Sequence, residues 1–149
     1  MAIRAFLQKH TRIAIDTSIF IYSAERHPTY VDTSKEVFSW LELPTHSAVT
    51  STITMTEVLV LPYRSSNMFL VNSYFALYST FPNLEWVAPD LAIADVAAQL
   101  RANHRLKTPD ALQMATALGG HATAFITNDR GFSKVAGIDV AVLDDFVIH

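Results

Sequence analysis

The tightest constraint on the fold is a short run near the amino end, Arg12-Ile13-Ala14-Ile15-Asp16-Thr17-Ser18. Uninterrupted apolar residues bounded in this way suit a strand buried on both faces, as strands are in a parallel sheet. A carboxylate directly after Ile-Ala-Ile has no propensity reason to be there. At the carboxyl edge of an open α/β sheet, however, Asp16 would stand where such sheets place their ligands. Parallel strands need long crossovers, usually helical, so the rest of the chain should alternate between the two periodicities.

It does. Ser18–Glu25 reads as a short helix broken by Arg26-His27-Pro28. Thr33-x-x-Glu36 fits a capping box for a helix carrying Val37, Trp40 and Leu41, closed by Leu43-Pro44. Ala48–Ser51 is a second β-favouring run, followed by a helix with Glu57-Val58-Leu59-Val60-Leu61 that stops near Pro62. Asn67–Phe81 is a long helical candidate with two apolar stripes, Met68/Val71/Phe75/Tyr78 and Leu70/Tyr74/Leu77/Phe81. Leu84–Val87 is a third strand, and Asp90 caps a helix that buries Ile93, Val96, Ala97 and Leu100.

Thr108-Pro109-Asp110 marks another helix start, with a hydroxyl cap, proline first and an acid in the first turn. Ala111, Met114, Ala115 and Leu118 give that helix its buried face, and Gly119-Gly120 ends it. Ala122–Thr127 and Val140–Leu143 are the fourth and fifth strands. Arg26–Asp32 and Tyr63–Asn67 read as exposed loops. The expected class is α/β with a mostly parallel sheet.

At 149 residues, half of them apolar and 17% charged, the chain suits one compact domain over 1–149 rather than disorder. Cysteine is absent, which excludes disulfides and thiolate metal sites. The amino terminus lacks the apolar centre of a signal peptide, and no run is long enough to span a bilayer. A soluble, cytoplasmic protein without membrane contact is the expectation. The net charge of −3 offers nucleic acid no global attraction, so a polyanion would need a local basic patch or bridging metal.

Four acids meet the edge condition set by Asp16. Glu57 lies about a turn into the helix after the second strand, Asp129 follows the fourth strand, and Asp110 opens the helix that leads into it. Two carboxylates about 4 Å apart repel by about 4 kcal/mol at an effective dielectric near 20. Helix amino ends return only about 0.3–1 kcal/mol each. A divalent cation resolves the conflict, and all-oxygen donors favour Mg²⁺ or Mn²⁺ over zinc. Each acid also has a plainer reading: Asp110 as a first-turn dipole partner, Glu57 as the end of a Thr54-x-x-Glu57 capping box, and Asp129 as a turn residue in Asn-Asp-Arg-Gly.

The pieces Ile15-Asp16-Thr17-Ser18, Thr54-x-x-Glu57-Val58, Pro109-Asp110-Ala111-Leu112-Gln113-Met114-Ala115-Thr116-Ala117 and Thr127-Asn128-Asp129-x-x-Phe132, in this order, resemble the PIN-domain ribonucleases. The likeness is strongest to the toxins of VapBC-type toxin–antitoxin pairs, and it runs from about Arg12 to the end. It implies a PIN-like three-layer α/β/α fold with a five-stranded sheet, and a metal-dependent endoribonuclease hydrolysing RNA. Asp16, Glu57, Asp110 and Asp129 would be both the catalytic and the metal-binding residues, with Mg²⁺ or Mn²⁺ as cofactor. Thr17, Ser18, Thr127 and Asn128 would support the metal or touch substrate. The resemblance further implies an RNA substrate and a cognate antitoxin, while a homodimer is expected from the apolar stripes of the 67–81 helix. It assigns no role to residues 1–10 or to the aromatic helix at 67–81.

Arg105, Lys107 and Arg130 flank the Asp110 and Asp129 motifs and are candidates for holding RNA phosphates, with Arg64 a weaker one; solvated loop charges are the plain alternative. The histidines, His10, His27, His46, His104, His121 and His149, show no metal-binding spacing. One stripe of the 67–81 helix is a candidate association surface. Two other functions compete: a catalytically inactive PIN-fold binding module, and a haloacid-dehalogenase-like phosphatase. The second expects Asp-x-Asp after the first strand, where this chain has Ser18.

Overall fold

A computed structural model of the chain describes residues 3–148; Met1, Ala2 and His149 lie outside the described residues. After a short helix, α1 (Ile3–Leu7), the elements are β1 (Arg12–Ile15), α2 (Thr17–Ala24), α3 (Val31–Leu41), β2 (Ser47–Ser51), α4 (Ile53–Arg64), α5 (Met68–Ser79), β3 (Leu84–Val87), α6 (Leu91–His104), α7 (Thr108–Gly119), β4 (Ala124–Thr127) and β5 (Asp139–Val142). A 3₁₀ turn, Arg130–Lys134, joins β4 to β5, and a second, Leu143–Phe146, follows β5.

All five strands are parallel, in the order β3-β2-β1-β4-β5. Strand alternation divides the interior in two. Ile13, Ile15, Ala48 and Ile126 face a core built with α1, α2 and α3. Ala14, Val49 and Phe125 face the opposite way, onto α6 and α7. The result is the three-layer α/β/α arrangement that a doubly covered parallel sheet requires. The chain steps outward from β1 to β3 and then returns across the other face to β4. The order therefore reverses between β1 and β4, whose carboxyl ends open the crevice where α/β folds bind ligands.

Several element boundaries differ from the sequence expectation, each for a local reason. The Thr33 capping box does not form: α3 begins at Val31 with Tyr30 as its N-cap, and Thr33 is buried inside the helix. Pro62 does not stop α4, which runs on to Arg64. In the last turn a proline removes one backbone bond without ending the helix. The cap of α7 is Lys107 rather than Thr108, placing Pro109 second in the helix.

Neither expected stripe of α5 is wholly buried. Val71 and Tyr78 enter the core with Tyr74 and Phe81 packed beside it, while Met68, Phe69, Phe75 and Leu77 are exposed. No helix among the described residues is long and apolar enough to cross a membrane.

Candidate active site

The site begins where β1 runs out. Asp16 has extended backbone dihedrals and caps α2, its Oδ1 accepting from Thr17 N at 2.8 Å. Its Oδ2 accepts from Thr127 Oγ1 at 2.7 Å, which binds the end of β1 to the end of β4. Thr127 Oγ1 in turn accepts from Asp129 N at 3.0 Å, turning the chain so that Asp129 returns towards the crevice. Asp129 Oδ1 accepts from Gly131 N at 2.8 Å. A side-chain carbon at Gly131 would stand 3.0 Å from that oxygen, so glycine leaves the carboxylate its room.

Asp16, Glu57, Asp110 and Asp129 line one cleft of about 350 Å³ together with Thr17, Ser18, Ile21, Tyr22 and Asn128. Four acids from four separate segments thus reach one edge. Asp16 is only 8% exposed. Burial pushes its carboxyl up to about 7, with Asp110 and Glu57 adding to the rise and the Thr127 and Thr17 hydrogen bonds opposing it. Asp110 is raised as well, first by burial and then by Asp129 and Glu57, with Lys107 acting against it.

Beneath the acids lies a buried polar network centred on Gln113, a residue to which the sequence reading assigned no role. Gln113 is 3% exposed. Its amide donates to Thr54 Oγ1 at 2.7 Å and to Thr17 Oγ1 at 3.1 Å, while Oε1 accepts from Ser51 N at 3.4 Å. Thr50 donates to Ile15 O at 2.9 Å, so the 2.8 Å contact between Thr50 and Thr54 must be a donation from Thr54. That leaves the Thr17 hydroxyl proton for Glu57 Oε1 at 2.7 Å. Every proton has one place, and the chain of donors ends on Glu57 as an acceptor. The capping-box reading of Thr54 and Glu57 is thereby set aside: Thr54 is buried within α4 and faces Gln113, not the helix's own amino end. The available signal was a neutral amide set among Ala111, Met114 and Ala115.

The remaining predicted residues divide. Thr17, Ser18 and Asn128 line the cleft, and Thr127 supports it from below. Ser18 Oγ is buried without a partner among the described residues. Arg105, Lys107 and Arg130 do not line the cleft. Arg105 ends α6 in the left-handed region at φ 56°. Arg130 is engaged by Asp145 through a pair of bonds at 2.6 and 3.2 Å, with Asp144 at 3.8 Å. The charge of Lys107 reaches the cluster through Asp110, whose rise it opposes.

Among the described residues no three of the acids or histidines are already drawn together closely enough to hold a metal ion. Glu57 is tied to Thr17 and Asp129 to Gly131 N. The donor chemistry nonetheless fits a hard divalent cation. Magnesium is commonly held by one or two carboxylates with water and substrate phosphate completing its shell, and Asp16 with a raised pKa gains most from such a charge.

A family model for the PIN domain matches residues 13–138. The chain belongs to the PIN domain family. The match spans every strand lining the crevice, and the fold of this PIN domain agrees with solved structures. A toxin–antitoxin complex from Klebsiella pneumoniae aligns at 23% identity and a TM-score of 0.66, over 88% of this chain and 97% of that one. VapBC2 from Rickettsia felis, bound to a promoter DNA fragment, aligns at 17% identity and a TM-score of 0.70, over 87% and 97%. VapC20 from Mycobacterium tuberculosis, a toxin that cleaves the sarcin–ricin loop, aligns at 16% and 0.68, over 86% and 98%. No curated protein matches the sequence.

Proposed function

We propose that this PIN domain is a metal-dependent endoribonuclease that hydrolyses RNA phosphodiester bonds, and the toxin of a toxin–antitoxin pair. One observation carries the reading: Asp16, Glu57, Asp110 and Asp129 come from four segments and line one cleft at the switch point of the sheet. In this reading Asp16, Glu57, Asp110 and Asp129 are the catalytic and metal-binding residues, for Mg²⁺ or Mn²⁺. A bound divalent cation supplies a neutralising charge for the scissile phosphate and makes a water nucleophile accessible at neutral pH.

The chain's own residues do the rest. Asp16 is desolvated and its carboxyl raised to about 7, so an entering cation displaces its proton and meets a poorly screened charge. Thr17 fixes which oxygen of Glu57 remains open, because Oε1 is already accepting its hydroxyl. Lys107, whose charge is felt by Asp110, offers a positive charge to an incoming RNA strand. The exposed apolar residues Phe69, Phe75 and Leu77 on α5 would be the surface for a homodimer or a cognate antitoxin helix.

Incubating the purified protein with structured and unstructured RNA in Mg²⁺ or Mn²⁺ tests this, beside EDTA and Asp16→Asn controls. Cleavage that disappears in both controls is the expected result. Cleavage that survives them would remove the metal–carboxylate mechanism. A protein that binds RNA and cuts none would be the inactive binding module.

A further inference from the structure

The cleft has one wall that the nuclease chemistry does not use. Tyr22, on α2, lines the cleft beside the acids and packs at a tilt against Tyr30, with ring centres 4.7 Å apart and planes 33° apart. His27 completes a three-ring cluster, 4.8 Å from Tyr30 and 5.0 Å from Tyr22. All three are partly exposed rather than buried.

Hydrogen bonds hold the rings in place from the cleft side. Asn128 donates to the Tyr22 hydroxyl at 3.0 Å and accepts from Asp144 N at 2.9 Å, while Tyr30 donates to Asp144 Oδ1 at 2.7 Å. His27 Nδ1 accepts from the backbone N–H of Thr29 at 3.1 Å and of Tyr30 at 3.4 Å, which leaves its proton on Nε2. The rings are thus pre-set, and little rotamer freedom remains to be lost on binding.

Electrostatics gives this wall a task. An RNA strand entering an acidic cleft on a chain of net charge −3 meets little attraction, and Arg130 is already committed to Asp145. A ring exposed beside the cleft can hold single-stranded nucleic acid through the π-face that every base has, independently of charge.

We propose that Tyr22, His27 and Tyr30 form a stacking platform for an unpaired base of the RNA strand whose backbone enters the carboxylate cleft. This rests on the nuclease reading of the cleft, but its test separates the two. Binding of a short labelled single-stranded RNA is measured in Ca²⁺ buffer by fluorescence anisotropy, against a series of the same strand with one abasic site moved along it. At one position the missing base should weaken binding by about 5- to 150-fold. That preference should collapse in Tyr22→Leu, fall in His27→Ala on the exposed turn, and persist in Tyr22→Phe, which keeps the ring. A 2-aminopurine base at the same position should be quenched on binding.

A wild-type protein indifferent to every abasic position overturns the proposal, as does a folded His27→Ala and Tyr22→Leu pair that keep the preference. Base-dependent binding by a protein that cuts no RNA would support the platform and remove the nuclease reading. Cleavage with no base dependence would do the reverse.

Discussion

The hydroxyl of Thr17 donates to Glu57 at 2.7 Å, joining the segment that carries Asp16 to the helix that carries Glu57. Two acids 41 positions apart in numbering are held in one register by a single proton, and that proton is directed by Gln113 donating to Thr17 from below.

Gln113→Leu removes both amide donors and leaves Thr17 and Thr54 free to reorient. Each orphaned buried group costs about 1–3 kcal/mol, so thermal or urea melts should show a loss of that order. RNA cleavage should fall further than stability explains, because Glu57 loses its fixed partner. Gln113→Glu should be worse on both counts, as it adds a fifth acid.

Stability without metal should decrease as pH rises. The folded Asp16 carboxyl titrates near 7 against 3.8 for the ordinary group, so its contribution is complete below about pH 4. Between about 4 and 7 the native state keeps a proton that the unfolded chain has released, and the contribution is lost progressively. A shift of this size is worth about 4 kcal/mol at most. Urea melts in EDTA at pH 4.5 and 7.5 check this, and Asp16→Asn should flatten the difference.

The same linkage predicts that Mg²⁺ or Mn²⁺ raises the melting temperature more at pH 8 than at pH 5. The proton and the cation compete for one carboxylate. An equal effect at both pH values would place the binding elsewhere.

Asp110→Asn should abolish cleavage yet leave the metal-free protein as stable as the parent or more so. Its carboxyl is raised by burial and by Asp129 and Glu57, and the amide relieves that repulsion. A sharp drop in melting temperature in metal-free buffer contradicts this.

Lys107→Ala should weaken RNA binding and lower the salt dependence of log K by about one phosphate contact. Arg130→Ala should change the slope much less, because Asp145 and Asp144 already neutralise that guanidinium. Titrations at several salt concentrations separate the two.

Much of the fold was legible because its causes are local. Ile13-Ala14-Ile15 suits a place between two helical layers, Asp90 and Asn67 cap α6 and α5 through their own side chains, and Leu84–Val87 lies between a turn at Pro82-Asn83 and the breaker Pro89. The errors were also local. The Thr33 box failed because α3 is capped three residues earlier, at Tyr30, and packing claims Thr33. The stripes on α5 were each split because two neighbours, α4 and the core under α2, compete for its faces.

The candidate site divides along the same line. The identities and order of Asp16, Glu57, Asp110 and Asp129 stand in the primary structure, since each follows a strand or opens a helix. That they line one cleft depends on the strand order β3-β2-β1-β4-β5, which places β4 beside β1 although more than a hundred residues separate their ends. Gln113 beneath them, the Thr17–Glu57 bond and the Asn128–Tyr22 bond that ties the aromatic cluster to the cleft are decided only by tertiary structure. A side chain's partner across a sheet is set by packing geometry, and nothing in its own neighbourhood of sequence encodes it.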